Sequence, residues 1–164
     1  MKLFTSLLFT YTFLFTTALS AQKMVPDIAL KDLNGKSVQL QDFVGKGKPV
    51  VLSFFATWCK PCITELDNIA EMYADWQSDY DVEVLAISID TQRQLGKVRP
   101  LAEVHNWEYT ILSDANSLSL QLLGFQTIPQ SYLVDGSGKI VYSHSGYSPG
   151  DESELEEKLK ALKK

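Results

Sequence analysis

The sequence predicts an α/β domain with a parallel βαβ core and an added antiparallel hairpin, and three segments carry that prediction. Val50–Phe55, "VVLSFF", is a short apolar run rich in β-branched and aromatic residues, the pattern of a strand buried on both faces. Behind it, Ile63, Leu66, Ile69, Ala70, Tyr73 and Trp76 recur at three- and four-residue steps. Asp67, Asn68, Glu71 and Asp75 fill the gaps, which makes an amphipathic helix. Val82–Ile89, "VEVLAISI", then reads as a second buried strand.

The remaining elements follow in chain order. "DIALKDLNGKSVQLQDF" predicts a hairpin turning at Asn34-Gly35. "RPLAEVHNW", from Arg99, reads as a helix with Pro100 near its start, where a missing N–H costs little. Tyr109–Leu112 is a short strand and Ser117–Leu123 a short helix. A second hairpin joins Ser131–Val134 to Lys139–His144 through Asp135-Gly136-Ser137-Gly138. "DESELEEKLKALKK" closes the chain as a helix, acidic first and basic last, which complements its dipole. Trp76 and Trp107 read as core. Asp90, ending a strand in "SIDT", reads as a cap for the next segment.

The chain opens Met1-Lys2, continues with about 13 uncharged, largely apolar residues, and reaches small residues at Ala18 and Ser20. This reads as a secretory signal peptide spanning residues 1–20 and cleaved after Ser20, leaving a single domain over residues 21–164. The apolar stretch is studded with Thr and short of the roughly 20 residues a spanning helix needs, so no stable membrane anchor is expected. The 164-residue chain has 20 acidic and 15 basic residues, one of the latter being Lys2 in the leader. An acidic domain argues against nucleic acid as a partner. The expected compartment is periplasmic or otherwise extracytoplasmic.

The chemistry concentrates in "ATWCKPCITEL", residues 56–66, which holds both cysteines of the chain, Cys59 and Cys62. An inert structural disulfide is one reading, but a bridge across two intervening residues constrains the unfolded chain very little. A structural zinc site is another; it needs four ligands, and only His105 and His144 are available to complete it. The third is a redox pair. The cysteines fall where a central strand turns into a helix, at the carboxyl end of a parallel strand, where such sheets bind and react. Cys59 at the first helical turn gains from free N–H groups, the helix dipole and neighbouring Lys60, all of which favour a thiolate. Cys62, one turn inside, is then the resolving thiol. Glu65 follows by three residues on the same apolar helix face. A carboxylate desolvated there is a general base for Cys62; alternatively it complements the dipole or points to solvent.

"FFATWCKPC" resembles the active-site segment of the thioredoxin superfamily, and "CITEL" resembles the extracytoplasmic TlpA/ResA-like thiol–disulfide oxidoreductases. The resemblance covers essentially the whole chain after the leader, including "TIPQSYLVDGSGKIVY", and WCxxC with a downstream Ile-Pro is a specific combination. It implies a thioredoxin-like fold: a mixed central sheet flanked by helices, with an N-terminal β-hairpin and a βα insert around residues 90–124. It implies that Pro129 is the cis-proline lying against the cysteine pair and that Ile128 offers backbone groups to a bound substrate strand. A glutamate at the position of Glu65 is implicated beside the redox pair. No cofactor is expected beyond the Cys59–Cys62 couple itself. The implied partners are protein thiols and disulfides, with reducing equivalents from a membrane thiol-transfer protein and cytochrome c maturation as a possible service. Trp58 is read either as a docking surface around Cys59 or as simple packing.

Two departures from thioredoxin stand out. Ser53 occupies the position of its buried Asp, six residues before the first cysteine, which leaves Glu65 as the candidate replacement. Gln130 stands where thioredoxin has Thr after the proline, so substrate preference is open. A peroxiredoxin-type peroxidase is a competing reading, but its motif needs Pro and Thr where this chain has Leu52 and Ala56. A copper(I) carrier using both thiolates and His144 is a third reading, of a different class.

Overall fold

The computed structural model describes residues 23–163; the leader expected over residues 1–20 lies outside them. Two hairpins flank a central parallel unit. The first pairs β1 (Ala29–Asp32) with β2 (Ser37–Gln39), turning where Gly35 takes a φ of 81°. The parallel unit comprises β3 (Val50–Phe55), α1 (Lys60–Tyr80), β4 (Glu83–Ser88), α2 (Val98–Val104) and β5 (Thr110–Ser113). After α3 (Leu118–Leu123), the second hairpin joins β6 (Gln130–Val134) to β7 (Ile140–Ser145), and α4 (Asp151–Leu162) follows. All seven strands form one mixed sheet in the order β2-β1-β5-β4-β3-β6-β7, with β6 antiparallel to β3 and β1 antiparallel to β5. The thioredoxin-like α/β architecture is the one the sequence predicts.

All six residues of β3 are buried, because helices cover one face and the N-terminal segment with α3 covers the other. Strand alternation divides them. Val51 and Phe55 join the core under α1, α2 and α4 with Leu66, Ile69, Trp76, Leu155 and Leu159. Val50, Leu52 and Phe54 join the opposite core with Ile28, Leu40, Leu123 and Tyr132. Ser53, between Val51 and Phe55, therefore faces α1. By the same alternation Ser131, its partner across β6, faces that side too.

Three local expectations need correction. The helix expected from Arg99 through Trp107 starts at Val98 and stops at Val104. Asn106 takes a φ of 51°, and the Trp107 N–H closes back on the Ala102 carbonyl at 3.1 Å. Trp107 is thereby freed to pack edge-on against Phe55, with ring centroids 5.6 Å apart. The helix expected from Ser117 starts at Leu118: Ser117 adopts a φ of 54°, and Asp114 accepts from the Leu118 and Ser119 N–H groups at 3.0 and 2.7 Å. Asp90 does not cap the next segment. It is buried beside the cysteine loop, as described below.

The β6–β7 turn is braced against the loop before β3. The Gly47 N–H donates to the Gly136 carbonyl at 2.9 Å, and a Cβ on Gly136 would meet the Gly47 backbone at 2.7 Å. Backbone cannot yield as a side chain can. Gly136→Ala is therefore expected to destabilise the protein by about 1–3 kcal/mol in urea unfolding, the usual range for overpacking. Gly96→Ala, whose Cβ meets nothing within 4 Å, is the control. Equal midpoints for the two variants would show that the turn and loop are not locked together.

Candidate active site

Where β3 ends, the chain must leave a fully buried strand and start a helix within four residues, Ala56 to Cys59. Two contacts fix that turn. The Cys59 N–H donates to the Ala56 carbonyl at 3.0 Å. Asp90, 1% exposed just past β4, accepts from the Thr57 N–H at 2.8 Å and the Thr57 hydroxyl at 2.9 Å, and also from the Ser88 hydroxyl at 2.8 Å. A buried carboxylate surrounded by three donors is well compensated, and removing it would strand all three. The register places it there: Phe55 lies opposite Ser88, so the chain beyond β4 runs beside the cysteine loop. Sequence reasoning saw only a strand-end Asp. The missing information was which neighbour the parallel pairing would supply.

Cys59 is the N-cap of α1, with φ −91° and ψ 95°, and its Sγ accepts from the Cys62 N–H at 3.3 Å. Lys60 and Pro61 follow in the first turn, both exposed. Cys59 and Cys62 form a disulfide with Cα atoms 5.3 Å apart. Cys62 is fully buried and Cys59 retains 6% exposure, so Cys59 is the more accessible residue of the pair. Trp58 beside it is 65% exposed, which removes the packing alternative.

On the other side of β3, Phe54 pairs with Gln130, so Pro129 lies against the carboxyl end of β3 and next to the cysteine turn. The Ile128–Pro129 peptide is cis, and Ile128 packs against the core cluster that contains both cysteines. The Pro129 carbonyl accepts from the Gly146 N–H at 2.8 Å. Gln130 is buried, with its amide donating to the His144 carbonyl at 2.9 Å and its carbonyl accepting from Ser145. Its side chain is spent on clamping β6 to β7 and is not presented to a partner.

Glu65 lies one turn after Cys62 on the buried face of α1, 5% exposed. Its Oε1 accepts from the Ser131 hydroxyl, and its Oε2 is buried with no hydrogen-bond partner. Burial pushes its pKa from 4.5 up to about 7; the Ser131 hydrogen bond opposes that rise, and the negative charges of Asp151 and Glu152 add to it. The solvent-facing alternative for Glu65 is thus excluded. Ser131 stands opposite Ser53, so the helix delivers a carboxylate to the seam where the strand carries only a hydroxyl. The sequence marks Ser131 only as the start of a strand and not as a site residue, although a serine in the apolar run "SYLV" is a signal for it.

The remaining sequence candidates stand apart from this site. His144 is held at Nε2 by Asp151 at 2.9 Å and lines a small cavity with Glu65, not with the cysteines. His105 is held by Asp67 at 2.8 Å on the outer side of α1. No group of three or more His, Cys, Asp or Glu among the described residues is placed to hold a metal ion.

A carboxyl group whose folded pKa lies near 7 instead of 4.5 binds more protons folded than unfolded between those values. Stability therefore falls as pH rises through that window and is level above it. The oxidised protein is expected to lose about 3 kcal/mol from this group between pH 4.5 and 8, a loss that Glu65→Gln does not show. Urea unfolding of both proteins across that range measures it. Parallel curves would mean that the carboxylate is not desolvated.

Comparison with known proteins agrees with the geometry. Residues 21–143 match the AhpC/TSA family. The chain is 31% identical over 140 residues to the thiol-disulfide oxidoreductase ResA of Bacillus thuringiensis subsp. konkukian, covering 85% of this chain and 77% of that protein. It is 34% identical over 124 residues to ResA of Geobacillus thermodenitrificans, covering 76% and 68%. The solution structure of a thioredoxin-like protein from Porphyromonas gingivalis superposes with a TM-score of 0.75 at 46% identity, over 84% of this chain and 90% of that one. With a disulfide-bonded CxxC pair capping the first long helix of a thioredoxin-like sheet, the chain belongs to the AhpC/TSA family, as a ResA-like thiol–disulfide oxidoreductase.

Proposed function

We propose that the protein is exported and reduces disulfides in other proteins, with Cys59 as the attacking thiol, Cys62 as the resolving thiol and Glu65 as the group that takes the Cys62 proton. The observation that carries this reading is the pairing of an N-cap disulfide with a partner-deficient buried carboxyl one turn behind it. The Cys59 thiolate attacks a substrate disulfide; a mixed disulfide forms and one substrate thiolate leaves. Cys62 gives its proton to Glu65 and attacks the Cys59 sulfur. The Cys59–Cys62 bond forms, and the second substrate thiolate departs. Two electrons pass from the dithiol to the substrate. A pKa near 7 suits a base that must accept a proton and later release it at neutral pH.

The exposed Trp58 with the Ile128–Pro129 edge forms the docking surface, on which a substrate strand lies against the backbone at Ile128. No cofactor takes part. Export rests on the apolar leader of residues 1–20, and the acidic domain suits protein rather than nucleic-acid partners. The reductive direction, service to cytochrome c maturation and recharging by a membrane thiol-transfer protein rest on likeness to ResA-type proteins.

Brief iodoacetamide treatment of the reduced protein, read by mass spectrometry, is expected to label Cys59 before Cys62. Cys62→Ser is expected to trap mixed disulfides and Cys59→Ser to trap none; the reverse pattern would overturn the order. Glu65→Gln is expected to slow resolution about 100-fold, the low end for losing a general base, while leaving formation of the mixed disulfide unslowed. Equilibration against glutathione tests direction: a potential near roughly −270 mV supports a reductase, and one near roughly −120 mV would make the protein an oxidant.

A further inference from the structure

The Glu65 proton needs a way out, because the carboxyl is sealed in the seam between α1, β6 and α4. One opening exists there. Glu65, Ser131, Tyr142, His144, Asp151 and Glu152 line a cavity of about 10 Å³. That is close to the space of roughly 10–15 Å³ that one water requires. Ile69 and Leu155 make much of the lining apolar, and the Glu65 carboxyl, Ser131 hydroxyl and His144–Asp151 pair supply the few polar groups a water could bond to. Glu65, whose Oε2 has no hydrogen-bond partner, lines the cavity together with the His144–Asp151 pair, whose side chains are 32% and 22% exposed. The sheet sets this alignment: His144 pairs directly with Ser131, the residue that holds the other Glu65 oxygen.

We propose that a single water in this cavity links Glu65 to His144, and that His144, oriented by Asp151, is the positioning residue through which the proton taken from Cys62 reaches solvent. The inference rests on Glu65 acting as the Cys62 base. The proton passes from Cys62 Sγ to Glu65, then to the cavity water, while that water hands a proton to the imidazole and the imidazole releases one to bulk solvent. No electrons move in these steps. The groups facing Glu65 fit this role. Ser131 on β6 holds Oε1, and Asp151 and Glu152 on α4 favour its protonated form. Tyr142 on β7 stacks on His144 with centroids 6.4 Å apart, and the Tyr109 phenol, just before β5, donates to the Leu66 carbonyl at 3.0 Å. Lys158 lies over the Tyr142 ring, 5.4 Å from its centroid. Tyr147 is tied to Asn68 and Glu152 and braces the α1–α4 seam.

The test uses reduced protein and the aromatic disulfide 5,5′-dithiobis(2-nitrobenzoate) in stopped flow. The first thionitrobenzoate released reports attack by Cys59 and the second reports resolution by Cys62. His144→Ala is expected to leave the first phase unchanged and to slow the second by about tenfold near neutral pH, less than loss of the base itself. Added imidazole is expected to restore it, since the deleted side chain leaves room for one. His144→Gln, which keeps the strand pairing and a hydrogen bond to Asp151, is expected to show the same slowing, and this covers the case in which the alanine variant folds poorly. A second phase unaltered in both variants, or slowed without imidazole rescue, would overturn the relay. If Glu65→Gln slows the second phase in that same experiment, the base reading survives; if it does not, both fall.

Discussion

Everything at the reactive end of the molecule hangs on β3. Its six residues are inaccessible to solvent, and its two neighbours run in opposite directions. The parallel neighbour brings the chain after its own end to the cysteine turn, which delivers Asp90. The antiparallel neighbour brings its beginning, which delivers Pro129 and then Ser131. One strand buried on both faces thus brings two segments, far from the cysteines and from each other in sequence, to the two sides of the cysteine turn. The apolar burial that holds this strand, roughly 25 cal/mol for each Å² of apolar area removed from water, is also what positions the chemistry.

The two buried carboxyl groups near the cysteines illustrate how hydrogen-bond supply decides role. Asp90 accepts from two hydroxyls and a backbone N–H and serves as a fastener for Thr57. Glu65 accepts from a single hydroxyl and leaves one oxygen bare. Desolvation without enough donors favours the neutral form, so the same functional group becomes a site that can load and unload a proton. Burial alone would not distinguish them, since both are less than a tenth exposed.

Much of this was legible in the sequence. Continuous apolar runs marked β3 and β4, the three-and-four spacing marked α1, and the CxxC pair fell at their junction. What periodicity could not supply was anything decided by a residue's partner. Asp114 caps α3 from four residues upstream because Ser117 turns left-handed, and Asn106 ends α2 in the same way; both are choices of backbone region that side-chain pattern does not record. Asp90 read as a cap because strand-end aspartates commonly are; its real partner, Thr57, is more than thirty residues away in the chain. From the sequence His144 reads as a ligand to complete a zinc or copper(I) site. Only the pairing with Ser131 shows that it backs onto Glu65.

The bridge between Cys59 and Cys62 spans a single turn of one helix. Cutting it releases almost no chain entropy, because so short a loop gives the unfolded state little extra freedom. The bridge therefore adds little to the stability of the fold, and the packing of β3 and α1 holds the cysteine turn in place. A bond that the fold does not need can be made and broken at the helix tip without cost to the core beneath it. The sulfur pair is in that sense a replaceable charge carried on a fixed frame, and the cost of switching it falls on Cys59, Cys62 and their immediate neighbours alone.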